Sequence, residues 1–403
     1  MKQVFKSQPG LLRRSYCQLC IRSSRYVVKN RIAVIYFIPL FLLSCLEPYN
    51  PPAITQEINI LVVDGFLNST EGAATVTLSK ANELSNPEKP PAETKAVVSI
   101  SSDGGSQYQL EEQEPGVYLV GGLTVESSSK YRVNIKTSDG NEYVSDYIEL
   151  KQSPPLNIAW EAADEGVNIL LNTIDPSGNT RYYRWDYVET WQYRARYDSY
   201  FKLLNAKVVE LSEEEKAYNC WTEVRSTAIL IGSTVRLSED IISNLPVVFL
   251  PKGTDKLGVT YSIAVKQTAL SKDEYDFWEQ LKKTTESLGS LFDPQPTQVL
   301  GNIHNINNLS SPVLGYFSGG AVQEKRIFIN FHDLPDHVRI LDTRSSCTYD
   351  TILEADVAGL FVYERLINTV SLGPGVIGYS KTVTECADCR EQGGGTLKPK
   401  FWP

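Results

Sequence analysis

Methionine occurs once in the 403 residues, histidine three times and cysteine seven times. So few imidazoles leave little scope for histidine-built metal centres or proton relays. Phosphate-cradling glycine loops of the Walker and dinucleotide types are missing. Gly315-Tyr316-Phe317-Ser318-Gly319 has the wrong spacing for the nucleophile elbow of acyl-transfer enzymes. The apolar run at 32–43 is broken by Pro39 and falls short of the roughly 20 residues that a bilayer-spanning helix needs. Positive charge is also scarce: 39 Lys and Arg stand against 48 Asp and Glu, a net charge of −9. Eight of those bases lie in residues 1–44, which carry no acid, so the rest of the chain is more acidic still. Such a surface disfavours nucleic acid as a partner.

What the apolar run does have is its context. Arg25, Lys29 and Arg31 precede it, and Leu42-Leu43-Ser44-Cys45 ends it. Charge, apolar stretch and a small residue before a cleavage point make a secretory signal. A Cys directly after the small residue resembles a bacterial lipoprotein signal, in which Cys45 is lipidated and becomes the mature N-terminus. Residues 1–44 are therefore expected to be a signal peptide. A start near Val27 or Val28 would make that signal compact and leave 1–26 as a mis-assigned leader, along with Cys17 and Cys20. Residues 45–56, with Pro48, Pro51 and Pro52, form a stiff tether. The partner this implies is the outer membrane, engaged through the N-terminal lipid.

Beyond the tether, abundant Tyr, Val, Ile and Thr favour strands. Residues 57–152 alternate apolar and polar positions between Gly, Asp and Asn turns, the pattern of an immunoglobulin-like β-sandwich. Ser153-Pro154-Pro155 marks a boundary, and 153–403 reads as a larger fibronectin-III-like β domain with a helical insertion. The fold class expected is mainly β. Ser271-Lys272-Asp273-Glu274 is a capping box that opens a helix over about 272–288, with Tyr275, Trp278, Leu281 and Leu288 as its apolar stripe. Ser212-Glu213-Glu214-Glu215 predicts a second, short helix ending near Asn219. From Tyr183 to Tyr193 every second position is aromatic save Glu189, one face of a strand, read here as core. The more polar stretch that follows places Tyr193, Tyr197 and Tyr200 as candidates for a ligand or partner surface.

Cys220, Cys347, Cys386 and Cys389 remain after the anchor, an even number that reads as two disulfides in an exported protein. The expected pattern joins Cys386 and Cys389 each to a distant partner, tying the tail to the second domain. A redox pair or a zinc half-site is the alternative reading of Cys386-x-x-Cys389. His332, Asp333, Asp336 and His337 form the one dense cluster of metal-capable residues, with His304 as the only further imidazole. A turn with solvated side chains accounts for it without metal. The expectation is no metal and no cofactor, with a metal-dependent surface hydrolase as the alternative.

Two further blocks carry a family resemblance: Tyr275-Asp276-Phe277-Trp278 running on through Gly301-Asn302-Ile303 and Pro312-Val313-Leu314-Gly315-Tyr316, and the tail from Cys386 to Trp402. With the lipoprotein signal and Leu61-Val62-Val63-Asp64-Gly65, they resemble a Bacteroidetes lipoprotein family catalogued as a domain of unknown function, DUF4249. The resemblance implies an outer-membrane or periplasm-facing lipoprotein, encoded near TonB-dependent receptors and without assigned catalytic residues. The functional expectation is a non-enzymatic accessory or binding protein working with such a receptor. A structural or adhesive surface protein is the other alternative. Asn302, Asn305 and Asn307, in a turn-rich loop, join the candidate partner surface.

Overall fold

Leu61, Val63, Gly65 and Leu67 point into the core while the residues between them face outward, so the first strand obeys the period of two that its sequence announces. The computed structural model describes residues 60–82, 89–286, 299, 301–339 and 347–403. The expected signal peptide, Cys45 and the expected tether lie outside the described residues, as do Leu288 and most of the loop after the helix. Ile58–Pro403 forms one compact unit.

The first eight strands are β1 (Leu61–Asn68), β2 (Ala73–Lys80), β3 (Val97–Ser102), β4 (Gln107–Glu114), β5 (Val117–Val120), β6 (Lys130–Lys136), β7 (Glu142–Ser145) and β8 (Ile148–Glu149). They enclose a core that includes Val63, Val76, Leu78, Val98, Ile100 and Val133, all without solvent exposure. β4 passes from one layer to the other, pairing β3 with its first half and β5 with its second.

This sandwich is not completed by residues 57–152. β18 (Ile303–Asn305) adds to β7, and β19 (Leu314–Gly320) runs parallel to β1 from Val62 opposite Leu314 to Asn68 opposite Gly320. The expected boundary at 152/153 therefore needs correction: a segment about 150 residues further on supplies two strands to the first sheet. Phe317 drives this, since its ring is wholly buried in the first core. Close backbone contact permits it. Gly315 sits at φ +106°, and a Cβ there would lie 1.8 Å from the Val63 carbonyl oxygen.

The second module contains β9 (Leu156–Ala163), β10 (Gly166–Ile174), β11 (Tyr182–Arg194), β12 (Phe201–Leu204), β13 (Lys207–Glu210), β14 (Asn219–Arg225), β15 (Leu230–Ser233), β16 (Ile241–Pro251) and β17 (Thr260–Ala269). After the helix and the two donated strands come β20 (Val322–Asn330), β21 (Asp350–Leu353), β22 (Glu364–Leu372) and β23 (Gly375–Val383). A three-stranded sheet, β16-β10-β9, and a five-stranded one built on β14-β11-β17-β20 share one core of Ile169, Leu171, Tyr183, Trp185, Tyr261 and Ile263. The aromatic strand is thus core, as its spacing predicts, with Trp191 and Tyr187 half-buried at its edge. A last sheet, β13-β12-β22-β23-β21, is C-terminal. The fold is mainly β, built from several sheets packed on shared cores.

The helix spans Lys272–Glu286, and the Ser271 hydroxyl accepts the Glu274 amide at 3.2 Å, as a cap should. Its buried residues are Glu274 and Phe277, whereas Tyr275, Trp278 and Leu281 are only half-buried. The expected stripe is therefore displaced by one position, because the helix leans on β19 and β11 rather than on a single flat sheet. The second expected helix is absent. Residues 213–215 make a turn in which the Ser212 amide donates to the Glu215 carboxylate at 3.1 Å. The capping contact forms, but one turn of helix without an apolar face cannot sustain itself.

Candidate functional site

Two cavities flank the helix and β19, and one glutamate lines both. The first, about 500 Å³, opens between the helix and the β7–β8 corner and is walled by Asp146, Asp273, Phe277 and Tyr316 among others. The second, about 330 Å³, lies over β1 and β11 and includes Asp64, Phe66, Arg184, Asp186 and Ser318. Both sizes suit a small ligand.

Glu274, 5% exposed, stands between them. Burial pushes its carboxyl up to about 7, against pulls in the other direction from the Ser318 hydroxyl, the Arg184 charge, Trp278 and the Ser271 amide. The Arg184 guanidinium stands over the Trp278 ring, its carbon 3.7 Å from the ring centre, and pairs with Asp186 at 2.9 Å. Opposite it on β1, Asp64 is reachable by solvent yet walled by protein. That partial desolvation and the nearby Asp186 raise its pKa, with Arg184 acting against them. Burial, with the Glu274 charge adding to it, also lifts the Tyr316 phenol to about 12, so it remains a hydrogen-bond donor at neutral pH. The Trp278 indole N–H makes no well-formed hydrogen bond. The cleft thus combines ionisable groups of shifted affinity with aromatic faces, the usual constitution of a binding site.

The residues singled out from the sequence lie elsewhere. Cys220 pairs with Cys389 and Cys347 with Cys386, so the tail cysteines join distant partners and neither forms a Cys386–Cys389 redox pair. Tyr193 is buried under the tail, its hydroxyl unpaired. Tyr197 donates to the Cys347 carbonyl at 2.9 Å. Tyr200 alone of the three is open, with the Lys216 ammonium 5.4 Å from its ring. The asparagines make hydrogen bonds to the backbone. Asn302 and Asn305 are buried, Asn305 accepts the Asn307 and Asn308 amides at 2.9 Å, and Asn307 accepts the Glu142 amide at 2.6 Å.

The histidine cluster does not converge. His332, Asp333, Asp336 and His337 are all exposed. Asp333 caps the short turn that follows β20 by accepting the Asn330 amide at 3.2 Å, and Asp336 pairs with Arg339 at the same distance. His304 lies 3.2 Å from Asp146, in another part of the molecule. Among the described residues, no group of three or more His, Cys, Asp or Glu comes together as metal ligands would.

The cleft itself was not visible in the sequence. Arg184 and Asp186 occupy positions whose alternation reads as the wet face of a strand, and Glu274 reads as an ordinary capping-box acid. The one available signal was Phe277 and Trp278 beside that acid, which marks a helix end set against protein rather than water.

Residues 46–326 match the family model described as Domain of unknown function (DUF4249). No curated protein matches the chain. Among solved structures, a two-domain fibronectin type-III segment of chicken tenascin is similar over 52% of this chain and 90% of its own, at 11% identity and a TM-score of 0.15. The chicken interferon gamma receptor alpha chain is similar over 51% and 86%, at 12% identity and a TM-score of 0.15. The adhesin InvE of Yersinia pseudotuberculosis is similar over 79% and 72%, at 11% identity and a TM-score of 0.12. At such scores these likenesses carry no argument about what the chain does.

Proposed function

The chain belongs to the DUF4249 family, and we propose that it is a lipid-anchored cell-envelope binding protein, held to the outer membrane through Cys45 and working as an accessory to a TonB-dependent receptor. The observation that carries this reading is Ser44-Cys45 at the end of a basic-then-apolar leader, followed by a proline-rich tether and then by β modules. Two disulfides in those modules accord with an oxidising, exported setting. A two-lobed cleft where three elements meet supplies a place for a small ligand. One acyl chain binds membranes only marginally, so the diacylated and N-acylated cysteine of a lipoprotein provides the stable anchor this reading needs.

The test is a mild-detergent extraction from native membranes, with mass spectrometry of what co-purifies. Stoichiometric recovery of a TonB-dependent receptor, lost when Cys45→Ala moves the protein to the soluble fraction, is the expected result. A membrane-bound protein that emerges without a receptor would overturn the accessory role and favour a structural or adhesive one. A Cys45→Ala protein that stays in the membrane would overturn the anchor.

A further inference from the structure

We propose that the two-lobed cleft binds an organic cation, an ammonium or guanidinium group, seated against Glu274 and Asp64. This deepens the binding reading by naming the ligand's charge, and it rests on that reading only in taking the cleft as the binding site. Its first support is the charge account of the walls. In the larger lobe, Lys130 and Lys151 are both held by Glu149, at 3.0 and 3.5 Å, and Asp276 pairs with Lys272. In the smaller lobe, Arg184 is held by Asp186 and Lys266 by Glu324 at 3.4 Å. Asp64, Glu71, Asp273 and Glu274 form no such ion pair among the described residues. Although Glu149 is shared by two lysines, five acids line the larger lobe against two bases and four line the smaller against two, so both lobes carry excess negative charge.

The second support is independent of charge. Tyr147, Phe277 and Tyr316 line the larger lobe and Phe66 the smaller, so aromatic faces accompany the carboxylates. Carboxylate beside aromatic face is the chemistry that holds alkylammonium and guanidinium groups. Arg184 over the Trp278 ring and paired with Asp186 is the same arrangement made within the chain itself. A bare metal ion would need several carboxylates on one point, and among the described residues none converge so. A cation at the end of a larger organic body matches both the spread of the acids and lobes of about 500 and 330 Å³.

An arriving cation favours the ionised form of Glu274, so at neutral pH binding expels a proton and strengthens as the pH rises. The groups facing Glu274 are Ser318 and Tyr316 from β19, Arg184 and Asp186 from β11, Asp64 from β1, and Asp273 and Trp278 from its own helix. Of these, Asp64 titrates in the same sense as Glu274.

The experiment is tryptophan fluorescence titration of the purified full chain with the tripeptide Gly-Arg-Gly, its uncharged citrulline analogue, and spermidine. The expected result is saturable binding of the arginine peptide, spermidine or both, with the citrulline peptide weaker by roughly tenfold or more. Binding should also tighten between pH 6 and 8. Peptide binding alone identifies a basic peptide as the source of the cation, and spermidine binding alone a free polyamine. Glu274→Gln and Asp64→Asn should each lose about tenfold in affinity. Asp64→Asn, on the solvent-reachable wall, remains the measure if Glu274→Gln disturbs folding. Equal affinity for arginine and citrulline peptides, no binding of any cation at millimolar concentration, or unchanged affinity in Asp64→Asn would overturn the proposal. Because the protein is purified, these outcomes are distinct from the failure to recover a receptor from membranes.

Discussion

Asn302 holds Phe317 as a neighbouring strand would: its Nδ2 donates to the Phe317 carbonyl at 2.8 Å, and its Oδ1 accepts the Phe317 amide at 2.9 Å. Phe317 is in the first core, so this clip fixes the late-arriving β18 and β19 to a sandwich made by residues 61–149. Asn302→Ala removes both partners and leaves a buried N–H and C=O unpaired. It should cost about 2–4 kcal/mol of stability, read as a shift of the urea midpoint. An unchanged midpoint would mean that water replaces the amide without loss.

Glu274 makes stability depend on pH in a sign opposite to that of most carboxylates. Its carboxyl titrates near 7 in the folded protein against 4.5 ordinarily, so between those values the native state holds more protons than the unfolded chain. The stabilisation is complete below about pH 4.5 and is lost as the pH rises through 7. Glu274→Gln, uncharged throughout, should match the parent near pH 4 and exceed its stability by about 3 kcal/mol at pH 8. Urea unfolding at the two pH values measures this, and coincident curves at pH 8 would show that Glu274 ionises there without penalty.

The disulfides differ in what they restrain. Cys220 and Cys389 are 169 residues apart and Cys347 and Cys386 only 39. On loop-closure entropy, the first is worth about 5 kcal/mol and the second about 4. Replacing Cys220 and Cys389 by Ser should lower the melting temperature more than replacing the other pair. It should also release the tail, in which Trp402 packs edge-on against Trp221 and Phe328. Equal losses from the two double variants would argue that the tail is held by its packing alone.

Gly394 lets that tail lie flat. Gly395 exchanges two backbone hydrogen bonds with Trp221, at 2.8 and 3.0 Å, and a Cβ on Gly394 would come within 2.1 Å of the Tyr193 hydroxyl. Gly394→Ala should destabilise by about 1–3 kcal/mol and expose the tail to limited proteolysis before the rest of the chain. A tail as resistant as the parent's would show that Tyr193 gives way.

Local chemistry determined much of this protein by itself. Alternation along Leu61–Asn68 and Tyr182–Arg194 specified strands and which face of each is inward, because side chains on a pleated strand have a period of two. Ser271 specified the start of the helix, because its hydroxyl meets a free backbone amide whatever lies around it. An even number of cysteines beyond Cys45 was enough to expect two bridges. Tertiary structure decided the rest. Pairing of β19 with β1 spans some 250 residues, and nothing within either strand encodes a partner so distant. Whether Asn302 faces solvent or a buried strand depends on that pairing. So does the cleft, since Glu274, Arg184 and Asp64 come from three separate elements and acquire their chemistry only when those elements exclude water between them.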